Sequence, residues 1–224
     1  MLYSGDNVEC PCCGRHFRSF LPVPDGRPGA RCPACDSLER HRLLWIYLVD
    51  VMHIREARLR MLHFAPEVAL ESNMTELAGL ERTRSDFSSR LPSERIDITD
   101  IQFPDDTFDA ILCVHVLEHI PAEDVAPAEL YRVLKPGGWA IIQSAFDPQL
   151  EHTFEDPGID TPEARARAYG QEDHVRVYGR DYGERLAEGG FKVTVDDYAA
   201  SLDPTLFERY GLMVDESIYL CEKP

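Results

Sequence analysis

Five of the seven cysteines fall within the first 35 residues, as Cys10-Pro11-Cys12-Cys13-Gly14 and Cys32-Pro33-Ala34-Cys35. Two C-x-x-C pairs separated by eighteen residues have the spacing of a structural zinc centre. Each pair turns two thiolates toward one point, and two pairs complete a tetrahedron. Cys10, Cys13, Cys32 and Cys35 are therefore the expected ligands of a structural Zn2+, with Cys12 outside the set. Gly14 permits the tight backbone of such a turn. Four thiolates leave no open position on the metal, so its expected work is folding rather than catalysis. Disulfides are the competing reading. The odd cysteine count and a start, Met1 to Asn7, without the basic patch and apolar stretch of a signal peptide argue for a reducing cytoplasm instead.

Histidines are the other groups able to do chemistry near neutral pH. His115 and His119 follow the apolar run Phe108–Val114 and stand four residues apart, with Glu118 between them. His174 sits in the polar stretch Gln171-Glu172-Asp173-His174-Val175-Arg176-Val177-Tyr178-Gly179-Arg180. His115 and His174 are the candidate catalytic bases. Arg176 and Arg180 could hold an anionic acceptor, or form a salt-bridged surface with Asp173. Arg40-His41-Arg42 is either a ligand contact or a solvated face. Glu151, His152, Asp156 and Asp160 have an irregular spacing that reads as ordinary loop polarity rather than a metal site.

The elements that must position these groups alternate. Residues 15–31 suggest short strands and turns. A helix runs from Ser37, its expected N-cap, through Val51. Strands are expected at Leu59–Phe64, Arg82–Phe87, Arg95–Ile98, Phe108–Val114, Trp139–Ala145, Phe191–Val195 and Ser217–Cys221. Helices are expected at Pro66–Leu80, Glu123–Leu134 and Tyr182–Ala187, with Lys135-Pro136-Gly137-Gly138 as a turn. Mostly apolar runs such as Phe108–Val114 suit strands covered on both faces. The alternation predicts an α/β, doubly wound parallel sheet with its ligand at the carboxyl ends of the strands. The expected division is a zinc ribbon over 1–36, a linking helix over 37–57 and the main domain over 58–224. A polar insertion over 147–180 is placed as a lid.

Three blocks then carry a resemblance: Asp97-Ile98-Thr99-Asp100-Ile101-Gln102-Phe103-Pro104-Asp105-Asp106-Thr107-Phe108-Asp109, Val116-Leu117-Glu118-His119-Ile120, and Leu130-Tyr131-Arg132-Val133-Leu134-Lys135-Pro136-Gly137-Gly138. In order and spacing they resemble the class I S-adenosylmethionine-dependent methyltransferases of the type 11 group. The resemblance implies a Rossmann-like sheet of seven strands with the last antiparallel, and S-adenosylmethionine as cofactor. It implies Asp86 on the ribose hydroxyls, Asp97 on the adenine amino group, the backbone of Ile98 on the ring edge, and His115 lining the methyl-transfer pocket. The stretch Met61 to Glu67 departs from the family. His63 stands for the usual acid, Ala65 for the first glycine and Glu67 for a later one. Either Phe64, Ala65 and Glu67 make the methionine-end contacts in a rebuilt loop, or cofactor binding is lost.

Charge narrows the partners. The chain of 224 residues carries a net charge of −17. Residues 1–60 hold nine basic and seven acidic residues, net +2, which leaves −19 on the rest. Such a surface repels phosphate backbones and argues against a general nucleic-acid partner. No stretch reaches the roughly 18 apolar residues of a membrane span. The expected function is methyl transfer to an oxygen or nitrogen of a small-molecule or sugar-like acceptor. Two alternatives stay open: an enzyme of RNA or protein guided by the zinc module, and a non-catalytic binding protein. The sequence leaves the oligomeric state open.

Overall fold

The computed structural model describes residues 3–23, 26–85, 94–213 and 216–224. Its contacts divide the chain into two compact units. One comprises Met1–Arg58, Pro66–Leu80 and Asp196–Ile218, and the other Leu59–Ala65, Glu81–Val195 and Tyr219–Pro224.

The first unit begins with an antiparallel pair, β1 (Val8–Cys10) and β2 (Arg15–Phe17). It also holds α1 (Glu39–Asp50), α2 (Val68–Glu76), α6 (Tyr198–Ser201) and α7 (Pro204–Tyr210). Helix α1 begins two residues after Ser37. Ser37 is not its cap, because the Ser37 hydroxyl lies 3.1 Å from Cys10 Sγ and accepts from Cys35 Sγ at 3.3 Å. The end of the helix is closed instead by the ring of His41, whose Nδ1 accepts the Leu38 N–H at 3.1 Å. Arg42, fully buried, is no ligand contact. Its guanidinium donates to the carbonyl oxygens of Ala30, Ser37, Tyr210 and Gly211 at 2.6–3.0 Å, if Nε and both terminal nitrogens are counted. The same group lies 4.0 Å from the ring centre of Phe20.

The second unit is built on a six-stranded sheet in the order β4-β3-β5-β6-β8-β7. Its strands are β3 (Leu59–Phe64), β4 (Leu80–Ser85), β5 (Phe108–Val114), β6 (Leu134–Gln143), β7 (Lys192–Asp196) and β8 (Ile218–Glu222). Strand β5 pairs parallel with both β3 and β6, and β8 runs antiparallel to β6. This is the α/β Rossmann-like arrangement, with the antiparallel strand, that the sequence leads one to expect.

The expected seventh strand at Arg95–Ile98 does not form among the described residues. Only a parallel bridge joins Ser85 to Glu94, and Ile96 is instead tied through its backbone to the Ser85 hydroxyl. The expected turn at Lys135–Gly138 is a bulge inside β6. Phe108 pairs with Leu134 and Ala110 already with Trp139, so the intervening residues are extruded. Gly138 is required there, since a Cβ would lie 2.9 Å from the Asp109 carbonyl oxygen.

Phe108, Ala110, Ile111, Leu112 and Cys113 are wholly buried, as a central strand of such a sheet must be. Helix α3 (Val125–Val133) lays Ala126, Leu130 and Val133 into the same core, and α5 (Tyr182–Glu188) adds Tyr182 and Leu186. In the insertion after β6, α4 (Pro162–Tyr169) starts at Thr161, whose hydroxyl accepts the Ala164 N–H at 3.2 Å, and stops at Gly170 with φ +88°. None of the described helices is long and apolar enough to cross a membrane.

Candidate functional site

In the first unit the four expected cysteines come together. The sulfurs of Cys10, Cys13, Cys32 and Cys35 all lie within 4.8 Å of one another, with Cys10–Cys35 at 3.6 Å and Cys13–Cys32 at 3.8 Å. A tetrahedron with metal–sulfur bonds of about 2.3 Å has edges of about 3.8 Å, so the sulfur spacing fits a four-thiolate metal site. The two turns are built alike. Residue Gly14 after the first pair has φ +64°, and Asp36 after the second has φ +58°. The Gly14 N–H donates to the Cys10 carbonyl at 2.8 Å, and that of Asp36 to the Cys32 carbonyl at 3.1 Å. Cys12 is turned elsewhere, with its sulfur 3.6 Å from the His41 carbonyl oxygen. Burial pushes the Cys13 thiol up to about 11.

In the second unit a cavity of about 820 Å³ opens at the carboxyl ends of three neighbouring strands. Phe64 and Ala65 come from the end of β3, Ser85 from the end of β4, and His115 and Val116 from the end of β5. Asp97, Ile98 and Thr99 form one wall, and His119, Ile120 and Asp173 contribute further lining. The volume lies within the usual range of small-molecule and cofactor sites. Among the described lining residues there is no lysine or arginine.

Asp97 is set by its own turn. One carboxylate oxygen accepts from the Thr99 backbone at 2.8 Å and the Thr99 hydroxyl at 2.7 Å, and these bonds hold the carboxyl below its ordinary range. The other oxygen makes no such turn contact. Ala65 has φ +45°, a left-handed backbone that favours glycine, and its N–H donates to the Ser85 carbonyl at 2.8 Å. The residue that stands for a glycine thus keeps a glycine-like backbone, at the cost of strain. Ala65→Gly is expected to stabilise the protein by up to about 1 kcal/mol in denaturant titration, and a clear destabilisation would contradict that reading.

His115 is also left-handed, at φ +53°, with its N–H on the Gln143 carbonyl at 2.8 Å. Its Nδ1 lies 2.9 Å from Glu118 Oε1. Glu118 was not singled out by the sequence as a working group, yet it is fully buried and central. Its Oε2 accepts from the Ser144 hydroxyl at 2.5 Å, and its Oε1 from the Ala145 N–H at 3.2 Å. Burial opposes its ionisation, but the contacts with His115 and Ser144 outweigh burial and hold the carboxyl at about 2. A carboxylate accepts from Nδ1 of His115, so in the neutral imidazole Nε2 is the acceptor.

His174 is buried, with Nδ1 3.2 Å from the Tyr169 carbonyl oxygen, and its ring meets that of His119 edge to face at 4.7 Å. His119, rather than His174, lines the cavity. Arg176 is not free to bind an anionic acceptor. It is buried and donates to the carbonyl oxygens of Leu117, Ile120 and Pro121 and to Glu155. Arg180 donates to the Pro148 carbonyl at 3.2 Å. Glu67 stands at the N-cap position of α2 without a side-chain capping bond, belongs to the first unit and is not among the residues that line the cavity. Asp86, the expected ribose ligand, lies outside the described residues.

Comparisons with known proteins bear on this cleft. Residues 57–142 match a family model described as a methyltransferase domain. A sterol 24-C-methyltransferase of Eremothecium gossypii is 32% identical over 122 residues, covering 52% of this chain and 31% of the relative. Phosphoethanolamine N-methyltransferase 2 of Caenorhabditis elegans is 35% identical over 75 residues, covering 34% of this chain and 17% of the relative. The chain spans a third or less of the length of these curated relatives. Among solved structures, Haemonchus contortus phosphoethanolamine N-methyltransferase 2 in complex with S-adenosyl-L-methionine has a TM-score of 0.53 at 15% identity. That match covers 83% of this chain and 52% of the other. The [4+2]-cyclase SpnF has a TM-score of 0.51 at 17% identity, covering 82% and 80%. These likenesses support the class I methyltransferase resemblance and show the fold.

Proposed function

We propose that the chain is an S-adenosylmethionine-dependent methyltransferase that acts on an oxygen or nitrogen of a small-molecule or sugar-like acceptor, with a structural Zn2+ on its four N-terminal cysteines. The observation that carries this reading is the cavity at the strand ends, where Ala65, Asp97, Ile98 and His115 meet. Doubly wound sheets bind their ligands at that edge.

The donor set fits the cofactor. The second oxygen of Asp97 and the backbone of Ile98 would hold the adenine edge, and Asp86, next after the last residue of β4, the ribose hydroxyls. Phe64 and Ala65 would lie against the methionine end. When bound, S-adenosylmethionine supplies an electrophilic methyl group on a sulfonium. The protein's share is to position the acceptor and manage its proton. His115, oriented through Nδ1 by Glu118, presents Nε2 as the proton acceptor. His174 is buried against His119 and does not line the cavity, so the base role falls to His115 alone. Likeness to sterol 24-C-methyltransferases favours a carbon acceptor as the second reading.

Calorimetric titration with S-adenosylhomocysteine tests the cofactor. Binding is expected for the native chain and is expected to weaken about 10- to 30-fold in Asp97→Asn, which keeps an oxygen for Thr99 but loses the anion. A native chain that gives no heat and no thermal shift at millimolar ligand would refute the proposal.

A further inference from the structure

Three side chains at the cavity wall have the makings of a second metal centre. Glu118, His119 and His174 each offer one ligand atom, and the three atoms lie within 4.8 Å of one another. Glu118 and His174 are buried, and His119 is half-buried. All three belong to the second unit, apart from the cysteine cluster of the first.

The outer contacts of these residues are those of metal ligands. His174 Nδ1 faces the Tyr169 carbonyl oxygen at 3.2 Å. A carbonyl has no proton to give, so Nδ1 carries the hydrogen and Nε2 the lone pair. His119 Nδ1 lies 3.4 Å from the Asp173 carboxylate, which favours the same tautomer. Ligating histidines almost always hold a carbonyl or carboxylate in this way through the other nitrogen. The Glu118 carboxylate is oriented by Ser144 on Oε2 and by His115 and Ala145 on Oε1. An oxygen with two lone pairs keeps one on Oε2 beyond the Ser144 bond.

We infer that Glu118, His119 and His174 bind one divalent transition cation. Two imidazoles and one carboxylate suit Zn2+, Mn2+ or Fe2+, whereas an all-oxygen set would suit magnesium or calcium. The thiolate centre is closed, but three protein ligands leave positions open on this metal. His119 and Asp173 line the cavity, so a bound acceptor's oxygen is the group such an open position would take. Metal binding here goes beyond the methyl-transfer reading and does not depend on it, since the test contains neither cofactor nor acceptor.

The full chain, first loaded with one equivalent of Zn2+, is titrated with Zn2+ and in parallel with Co2+. A second equivalent is expected to bind, and its Co2+ form should show weak visible bands without added thiolate charge transfer. His119→Gln and His174→Gln should each weaken that second equivalent by about 100-fold or more, above the 10–100-fold of an outer-contact loss, and leave the first in place. Saturation of the native chain at one equivalent would overturn the inference. So would a second equivalent held equally by the native chain and by His119→Gln. The half-exposed His119 serves even if the buried His174 variant fails to fold, and the native stoichiometry needs no variant.

Discussion

Cys32→Ser is expected to release the N-terminal metal and unfold the segment that holds it, while Cys12→Ser keeps both. The difference follows from where the sulfurs point. Cys32 lies within the four-sulfur cluster, 3.8 Å from Cys13, and its sulfur also accepts the Ala34 N–H at 3.4 Å. Cys12, two residues from Cys10, faces the His41 carbonyl oxygen. Serine offers no thiolate, so one of four bonds to the metal is lost. In small zinc modules the metal supplies about 10–16 kcal/mol of apparent folding energy. The two short strands of three residues each cannot replace it. Metal analysis alongside thermal unfolding checks both variants. Equal metal loss from Cys12→Ser would make Cys12 a ligand, and retention by Cys32→Ser would remove the centre.

Arg42→Ala should destabilise the chain by about 3–5 kcal/mol, the cost of stripping the partner from buried polar groups. One guanidinium serves four carbonyl oxygens, two of them from Tyr210 and Gly211 at the end of α7, and its face rests on Phe20. Arg42→Lys should recover little, because an ammonium has three donors and no planar fork. For a protein of this size each 1 kcal/mol moves the midpoint by roughly 2–4 °C, so the loss is measurable by calorimetry. A midpoint within a degree or so of the native value for Arg42→Ala would show that these carbonyls find other partners.

The cysteine cluster was legible because both halves of the centre are local turns, and two matched spacings leave few other uses for four thiols. The strand ends were legible because an apolar run such as Phe108–Val114 marks a buried strand, and the residues just beyond it must reach the ligand edge. His115 was legible in that way, whereas Asp97 and Ile98 were named only by the family resemblance; the structure brings all three to one cavity. Arg42 and Arg176 were not legible. Both were open to a reading as ligand contacts, and both instead close off carbonyl oxygens, those of Arg42 reaching 168 and 169 residues along the chain.

By itself, then, the sequence determined the α/β class, the four cysteines that cluster within the first 36 residues and the strand ends that meet at the cavity. Those properties rest on spacing and periodicity, which act over a few residues. Only the tertiary structure decided that Glu118 is buried as the partner of His115, that His174 stands against His119, and that an expected seventh strand reduces to one bridge at Ser85. A charged side chain looks the same in sequence whether water or a buried carbonyl receives it. Its partner is fixed by distant segments once the core has formed, and local pattern carries no record of that choice.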